Sequence, residues 1–231
     1  MITIPPEYEE KYGFKTSDIR TIANDMLVIK RKYGQIIDQI SSTLNIDKEL
    51  IYAFQAIEAP YRVFGNKQET VVSPAGAVGL MQVAPDGAND IVVIYNLNNK
   101  LPQRVRELIE KKGKSCLLKA KYVGHYKQFN CQGLTKEDLF DGELNLWIGG
   151  MMLKRQLEFY PNRLDLVVYS YNFSPTFSKD HANKRLQSYP TIQDTLRNQK
   201  VPTETKRYIV WLLGKNGTLN VAIALKRDNQ I

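Results

Sequence analysis

The chain has 231 residues, of which 43% are hydrophobic and 10% aromatic, enough to bury one or two cores without disulfide or metal support. This composition excludes a disordered or collagen-like protein, and its longest apolar runs are far shorter than the roughly 18 residues of a membrane-spanning helix. Of the formal net charge of +8, +6 lies in residues 104–127, where eight basic residues accompany two acidic ones. Such a patch favours a polyanionic partner such as nucleic acid, acidic lipid or an anionic cell envelope, with a solvated helix surface as the alternative.

Hydrophobic spacing predicts helices along most of the chain. Apolar residues recur at helical spacing over residues 34–45 and again over residues 47–59, and Pro60 ends the second helix. The stretch 76–84 is short and apolar, which fits a buried helix or a strand, and the tail 218–231 fits a short strand or a helix. Few segments alternate with a period of two, so the predicted fold class is mainly α. Further helices are predicted at residues 104–112, 114–129, 143–160, 164–171 and 203–213.

Several kinds of chemistry have no residues to support them. Cys116 and Cys131 do not make a disulfide framework, so we expect reduced thiols, with one bridge as the alternative. His125 and His181 are far apart and no zinc-binding motif is present, so a catalytic zinc is not expected. The sequence also lacks GxSxG and GxxxxGK[ST], which argues against a serine nucleophile and a P-loop. Carboxylate chemistry remains.

Glu58 is the carboxylate with the most unusual setting. It lies in the largely apolar segment AFQAIEAP, in the last turn of a predicted helix. Burial and the negative end of the helix dipole both disfavour its charged form, so we expect a raised pKa, as a general acid at neutral pH requires. A solvated glutamate at a helix end is the alternative.

Four further motifs follow Glu58: SPAGAVGLMQVAP at 73–85, LFDGELNLWIGGMMLKRQL at 139–157, YSYNFSP at 169–175 and VPTETKRYIVWLL at 201–213. In their sequences and in their order along the chain, these motifs resemble those of the soluble lytic transglycosylases, relatives of goose-type lysozyme. The resemblance covers about residues 34–88 and 138–214. It implies a lysozyme-like helical domain over 34–214 with a helical basic insertion at about 89–135. Residues 1–33 are then an N-terminal extension and residues 215–231 a C-terminal tail.

The resemblance implies a single catalytic carboxylate, Glu58. Tyr171 and Asn172 match the Tyr-Asn pair beside it, with the tyrosine hydroxyl orienting the carboxylate. The other matched substrate-binding residues are Ser73 in the sugar site, Gly79, Met81 and Gln82 in the cleft wall, and Glu204 in the closing helix. Core packing is an almost equal interpretation for Leu80 and Met81, and helix packing is the better one for Asn145 and Gly149.

The chain departs from the family pattern around the expected cleft. Ala59 stands where the family has serine, and the loop 60–72 is longer than usual. Phe173 and Ser174 replace two very small residues, which we expect to narrow the cleft. The basic insertion is also much longer than usual. We expect these departures to change how the substrate fits and how fast it reacts more than the type of reaction.

The implied reaction cleaves the β-1,4 bond between N-acetylmuramic acid and N-acetylglucosamine in peptidoglycan and leaves 1,6-anhydro ends. It needs no cofactor and no metal, and it involves neither nucleic acid nor a membrane span. Two alternatives stay open: hydrolysis, as in goose-type lysozyme, and a glycan-binding or structural protein of a phage virion or secretion machine with the same fold. The N-terminus shows no secretory signal, so we expect an enzyme that acts on the cell wall as a virion-associated protein or after release at lysis.

Overall fold

The computed structural model describes residues 3–173 and 178–231, without the side chain of Phe129. The described part is mainly helical and contains no strand, which confirms the predicted mainly α class. The lysozyme-like architecture stays a prediction. The α-helices in chain order are Pro6–Tyr12 (α1), Ile19–Leu44 (α2), Lys48–Glu58 (α3), Tyr61–Phe64 (α4), Pro85–Leu97 (α5), Gln103–Lys111 (α6), Lys136–Leu139 (α7), Gly142–Phe159 (α8), Leu164–Asn172 (α9), Lys179–Ser188 (α10), Ile192–Arg197 (α11), Thr203–Leu213 (α12) and Thr218–Arg227 (α13).

Two predicted elements have a different structure. Residues 76–84 form neither a helix nor a strand but a buried loop closed by two isolated bridges, Val72 with Val78 and Val78 with Val83. The predicted helix 114–129 is instead a pair of short 3-10 helices, Ser115–Lys119 and His125–Phe129. Ala120 is extended and Gly124 is left-handed with φ 80°, so the backbone between the two segments cannot continue as one helix.

The chain forms two compact units. The first comprises Met1–Gly34, Ile46–Ile57 and Met152–Ile231, and the second comprises Gln35–Asn45 and Glu58–Met151. Helices α2, α3 and α8 contribute residues to both. The predicted boundary after residue 33 therefore falls inside α2, while the one after residue 214 falls between α12 and α13. The prediction that residues 1–33 and residues 215–231 lie outside a domain formed by residues 34–214 is not tested by these boundaries.

The first unit is built around α12, which packs against α1, α9 and α13. Its helices bury apolar side chains such as Val167 of α9 and Ile209 of α12. A buried polar cluster joins α9 to α11, because Asp165 accepts hydrogen bonds from Arg163 at 2.9 and 2.7 Å and from Thr195 Oγ1 at 2.6 Å. The cluster satisfies a carboxylate that is costly to bury alone.

One stretch of the described residues, Thr203–Arg227, has the length and hydropathy of a membrane-crossing helix, and 61% of its most apolar window is buried inside the protein. The stretch contains α12 and α13, which are separated by a turn after Leu213. Such burial is typical of core helices, so this stretch gives no clear membrane span.

The second unit contains a disulfide bond between Cys116 and Cys131, whose Cα atoms are 5.8 Å apart. The expectation of reduced thiols is therefore wrong, and the alternative of one bridge is correct. The turn between the two 3-10 helices brings the cysteines together. The segment that follows is held by Asn89, whose side chain accepts from Leu134 N at 2.8 Å and donates to Leu134 O at 3.2 Å.

Candidate functional site

Glu58 is the last residue of α3, and its side chain is half-buried. The helix ends there because the chain turns at Ala59 and Pro60, as the sequence predicts. The segment 60–72, expected as an enlarged loop, instead contains α4 and a 3-10 helix, Gly65–Thr70. It returns to the end of α3 through a buried glutamine, since Gln68 Nε2 donates a hydrogen bond to Ala59 O. This contact fixes the backbone immediately after the carboxylate.

The loop 73–82 begins and ends with side-chain contacts to its own backbone. Ser73 Oγ accepts from Ala77 N at 3.0 Å, and Ser73 N donates to Ala77 O at 2.8 Å, so this serine closes a turn. Gln82 has a positive φ of 45°, and its Nε2 donates to Gly79 O at 2.9 Å. Gly79 also has a left-handed backbone, φ 74°, which a side chain would strain. Both predicted residues Ser73 and Gln82 thus shape the loop and keep half-exposed side chains.

Asn145 of α8 clamps this loop in place. Its Oδ1 accepts from Met81 N at 2.8 Å, and its Nδ2 donates to Val78 O at 2.8 Å and to Leu139 O at 3.1 Å. The side chain is fully buried. The predicted packing role of Asn145 is therefore incomplete, because its side chain also holds the loop through hydrogen bonds.

Met81 and Gly149 pack directly against each other. A Cβ atom on Gly149 would lie 2.5 Å from Met81 Cβ, and one on Gly150 would lie 2.7 Å from Ile40 Cγ2. The packing interpretation of Gly149 is therefore confirmed. Met81 is fully buried, and Gly79 is buried as well, so both act here as supports of the loop. Direct contact of either residue with a substrate stays a prediction.

The other predicted residues belong to the first unit, at the contact between α9 and α12. Tyr171 is buried, and its ring meets the ring of Phe54 edge-on, with centroids 5.1 Å apart. Asn172 Oδ1 accepts from the buried Thr205 Oγ1 at 2.8 Å. Glu204 precedes Thr205 in the first turn of α12 and is exposed.

The structure thus groups the predicted residues into two sets. Glu58, Ser73, Gly79, Met81 and Gln82 belong to the second unit, and Tyr171, Asn172 and Glu204 to the first. Ser174 and Pro175, which belong to the third motif, YSYNFSP, lie outside the described residues.

Four of the eight basic residues in the segment 104–127 form ion pairs with acidic residues from elsewhere in the second unit. Residues 85–145 contain ten basic and eight acidic side chains, so the local excess is small. The main ion pairs are Arg104 with Glu143 at 2.6 Å, Lys112 with Asp141 at 3.3 Å, Lys114 with Asp138 at 3.6 Å and Lys127 with Asp86 at 3.2 Å. The positive charge that favoured a polyanionic partner is therefore mostly offset within the fold.

A cavity of about 750 Å³ lies elsewhere, in the first unit, and its lining includes Ile4, Leu213 and Ile223. None of the predicted site residues lines it. Its walls are mainly apolar side chains of the N-terminal segment and α13, and Glu9 and Lys215 contribute charge.

Two further observations bear on the chemistry. Among the described residues, no group of three or more histidine, cysteine, aspartate or glutamate side chains could hold a metal ion. A comparison with protein-family models finds no match, and a comparison with curated proteins finds none either. The resemblance to a family therefore rests on the sequence motifs alone.

Proposed function

We propose that this protein is a lytic transglycosylase that cleaves the glycan strands of peptidoglycan, with Glu58 as its one catalytic carboxylate. The observation that carries the proposal is the half-buried Glu58 at the end of α3, followed by a loop of GLMQ sequence that Asn145 holds in a fixed shape. A carboxylate at the C-terminal end of a helix is disfavoured in its charged form, which suits a group that must donate a proton.

In the proposed reaction Glu58 acts first as an acid and then as a base. It donates a proton to the glycosidic oxygen while the N-acetyl oxygen of the substrate assists at the anomeric carbon, and the C1–O bond breaks. The carboxylate then takes the proton of the C6 hydroxyl as that oxygen bonds to the anomeric carbon and closes the 1,6-anhydro ring. One carboxylate suffices because the substrate supplies the groups that most glycosidases provide as a second acid.

The remaining residues are proposed to position Glu58 and the sugar. The resemblance implies that the hydroxyl of Tyr171 orients the carboxylate, and the proposal keeps this role. Within the first unit, the Tyr171 ring packs on Phe54 of α3. Ser73 Oγ already accepts a hydrogen bond from backbone, so its own proton can be donated to a sugar oxygen. Gln82, Asn172 and the exposed Glu204 are proposed to contact the substrate.

Substitution of the carboxylate tests the proposal. Glu58→Gln keeps the size of the side chain but removes the transferable proton, so lytic activity on purified peptidoglycan should fall by about 10²–10⁴-fold. Tyr171→Phe should have an intermediate effect and Glu204→Gln a mild one, since they change orientation or substrate contact. Glu110→Gln, at an exposed position in α6, is the matched control. A Glu58→Gln protein that is folded by circular dichroism and retains nearly full activity would overturn the proposal.

Mass spectrometry of the products separates this reaction from its alternatives. Muropeptides with 1,6-anhydro ends support a transglycosylase, and reducing ends instead indicate hydrolysis by water in the same site. No soluble products from a folded wild-type protein would indicate a glycan-binding or structural role, in a virion or a secretion machine.

A further inference from the structure

Phe173 is the exposed end of an aromatic cluster in the first unit. It directly follows the last residue of α9, and 53% of its surface is exposed. Its ring lies against the ring of Tyr169 at 75°, with centroids 5.8 Å apart. A single exposed phenylalanine needs no explanation, but the Phe173 ring packs on a second aromatic ring, that of Tyr169.

The Tyr169 ring is itself packed between other side chains. Tyr169 is only 7% exposed and contacts Tyr189 with ring centroids 5.8 Å apart. The guanidinium of Arg185 lies 4.5 Å from the centre of the Tyr169 ring. These contacts hold the Tyr169 ring in place, and Phe173 packs on that ring while about half of its own surface stays exposed.

Two polar side chains, Asn172 and Glu204, lie at the contact between α9 and α12, where α9 ends and Phe173 follows. Asn172 precedes Phe173, and its amide carries two N–H donors while its Oδ1 accepts from Thr205. The exposed carboxylate of Glu204 comes directly before Thr205 in the chain. An exposed aromatic ring in a region that also carries an amide and a carboxylate is a combination that suits a pyranose, which presents C–H groups on its face and hydroxyl or acetamido groups at its edge.

We infer that Phe173 is the stacking platform of a sugar subsite and binds the apolar face of an N-acetylhexosamine ring in a glycan strand. The choice of ligand rests on the proposed function, whereas the platform itself rests on the cluster. The expectation that Phe173 narrows a cleft is thereby replaced by a different role, since the ring adds an exposed contact surface where a small residue would offer none.

Binding of a soluble probe tests the inference without relying on cleavage. The probe is the hexamer of N-acetylglucosamine, titrated by calorimetry into the full chain carrying Glu58→Gln, which prevents turnover. Adding Phe173→Ala should weaken binding about fivefold to tenfold, the range that one aromatic contact supplies. Phe173→Trp should keep the affinity. Tyr122→Ala removes an aromatic side chain of similar exposure, 49%, from the second unit and should leave binding unchanged.

A kinetic measurement accompanies the titration. In the protein with Glu58 intact, Phe173→Ala should raise KM for solubilised glycan strands more than it lowers kcat, because a binding surface acts before the chemical step. Thermal unfolding of each variant controls for loss of the contact with Tyr169.

The results separate the two proposals. A wild-type protein that cleaves peptidoglycan while Phe173→Ala binds the hexamer as tightly as its parent overturns the subsite and leaves the proposed function intact. Binding through Phe173 without any cleavage by the wild-type protein supports the subsite and overturns the proposed function. A hexamer that does not bind the protein at all overturns the subsite, even if the ring then serves a protein partner.

Discussion

Replacing Asn145 with leucine tests whether this residue holds the GLMQ loop. Leucine has the same branched arrangement of side-chain heavy atoms as asparagine but is larger and can neither donate nor accept a hydrogen bond. The change therefore removes the clamp without opening a cavity, and any overpacking adds to the loss of stability. Asn145 makes three hydrogen bonds, one with Met81 N and two with backbone oxygens, and its side chain is fully buried. The loop and this part of α8 belong to the same compact unit.

The expected loss of stability follows from these bonds. Each buried hydrogen bond contributes about 0.5–1.5 kcal/mol net, and a buried N–H that loses its acceptor costs about 1–3 kcal/mol. Val78 O also accepts from Val83 N at 2.9 Å, so that carbonyl keeps a partner and the full sum overestimates the loss. We therefore expect Asn145→Leu to lower the free energy of unfolding by about 3 kcal/mol, a large share of the 5–15 kcal/mol typical of a folded protein.

Urea denaturation followed by circular dichroism measures this difference. Asn98→Leu is the control, because Asn98 is exposed and makes a single local bond, from its Nδ2 to Ile94 O at 2.7 Å. We expect the control to change stability by less than about 1 kcal/mol. If Asn145→Leu is as stable as this control, the three bonds do not hold the loop and the clamp is refuted.

Three further changes have expected outcomes. Gly149→Ala places a Cβ 2.5 Å from Met81 Cβ and 2.7 Å from Met81 Cγ, and should cost about 1–3 kcal/mol. In a double-mutant cycle this cost should shrink when Met81→Gly removes both atoms, and equal costs would contradict the packing. Cys116→Ser removes the disulfide bond to Cys131, which links positions separated by 15 residues, so urea denaturation should show a loss of about 3 kcal/mol in the free energy of unfolding. A reductant should cause the same loss in the wild-type protein. If the reductant leaves the stability unchanged, the bond is not present. Thr191→Ala removes the N-cap hydrogen bond of α11, so thermal unfolding should report about 1 kcal/mol less stability, and an unchanged transition would show that the cap contributes nothing.

The disulfide also bears on where the protein works. Disulfide bonds such as the one between Cys116 and Cys131 persist in oxidising surroundings and are rare in reducing ones. Under the proposed function the protein acts on the cell wall, outside the reducing cytoplasm. A bridge between Cys116 and Cys131 fits that proposed place of action.

Periodicity predicted the helices that carry a regular apolar stripe and end at a clear break. The end of α3 at Glu58 and the span of α12 follow from Pro60, Pro202 and Gly214 in this way. Residues 76–84 could not be predicted, because a run of small and apolar residues is compatible with any buried conformation. Their shape depends on Asn145, which lies 64 positions beyond Met81 in the chain. Local spacing carries no information about such a contact.

One signal in the sequence pointed to this contact. Asn145 and Gly149 are four residues apart in α8 and therefore lie on the same side of the helix. The first binds the backbone N–H of Met81 and the second makes room for the Met81 side chain, so both serve one residue of the loop. An asparagine in an apolar helix needs a partner, and a glycine one turn later indicates close approach of another segment. Considered together, Asn145 and Gly149 predict that the backbone of another segment packs closely against this side of α8. In the structure that segment is the GLMQ loop.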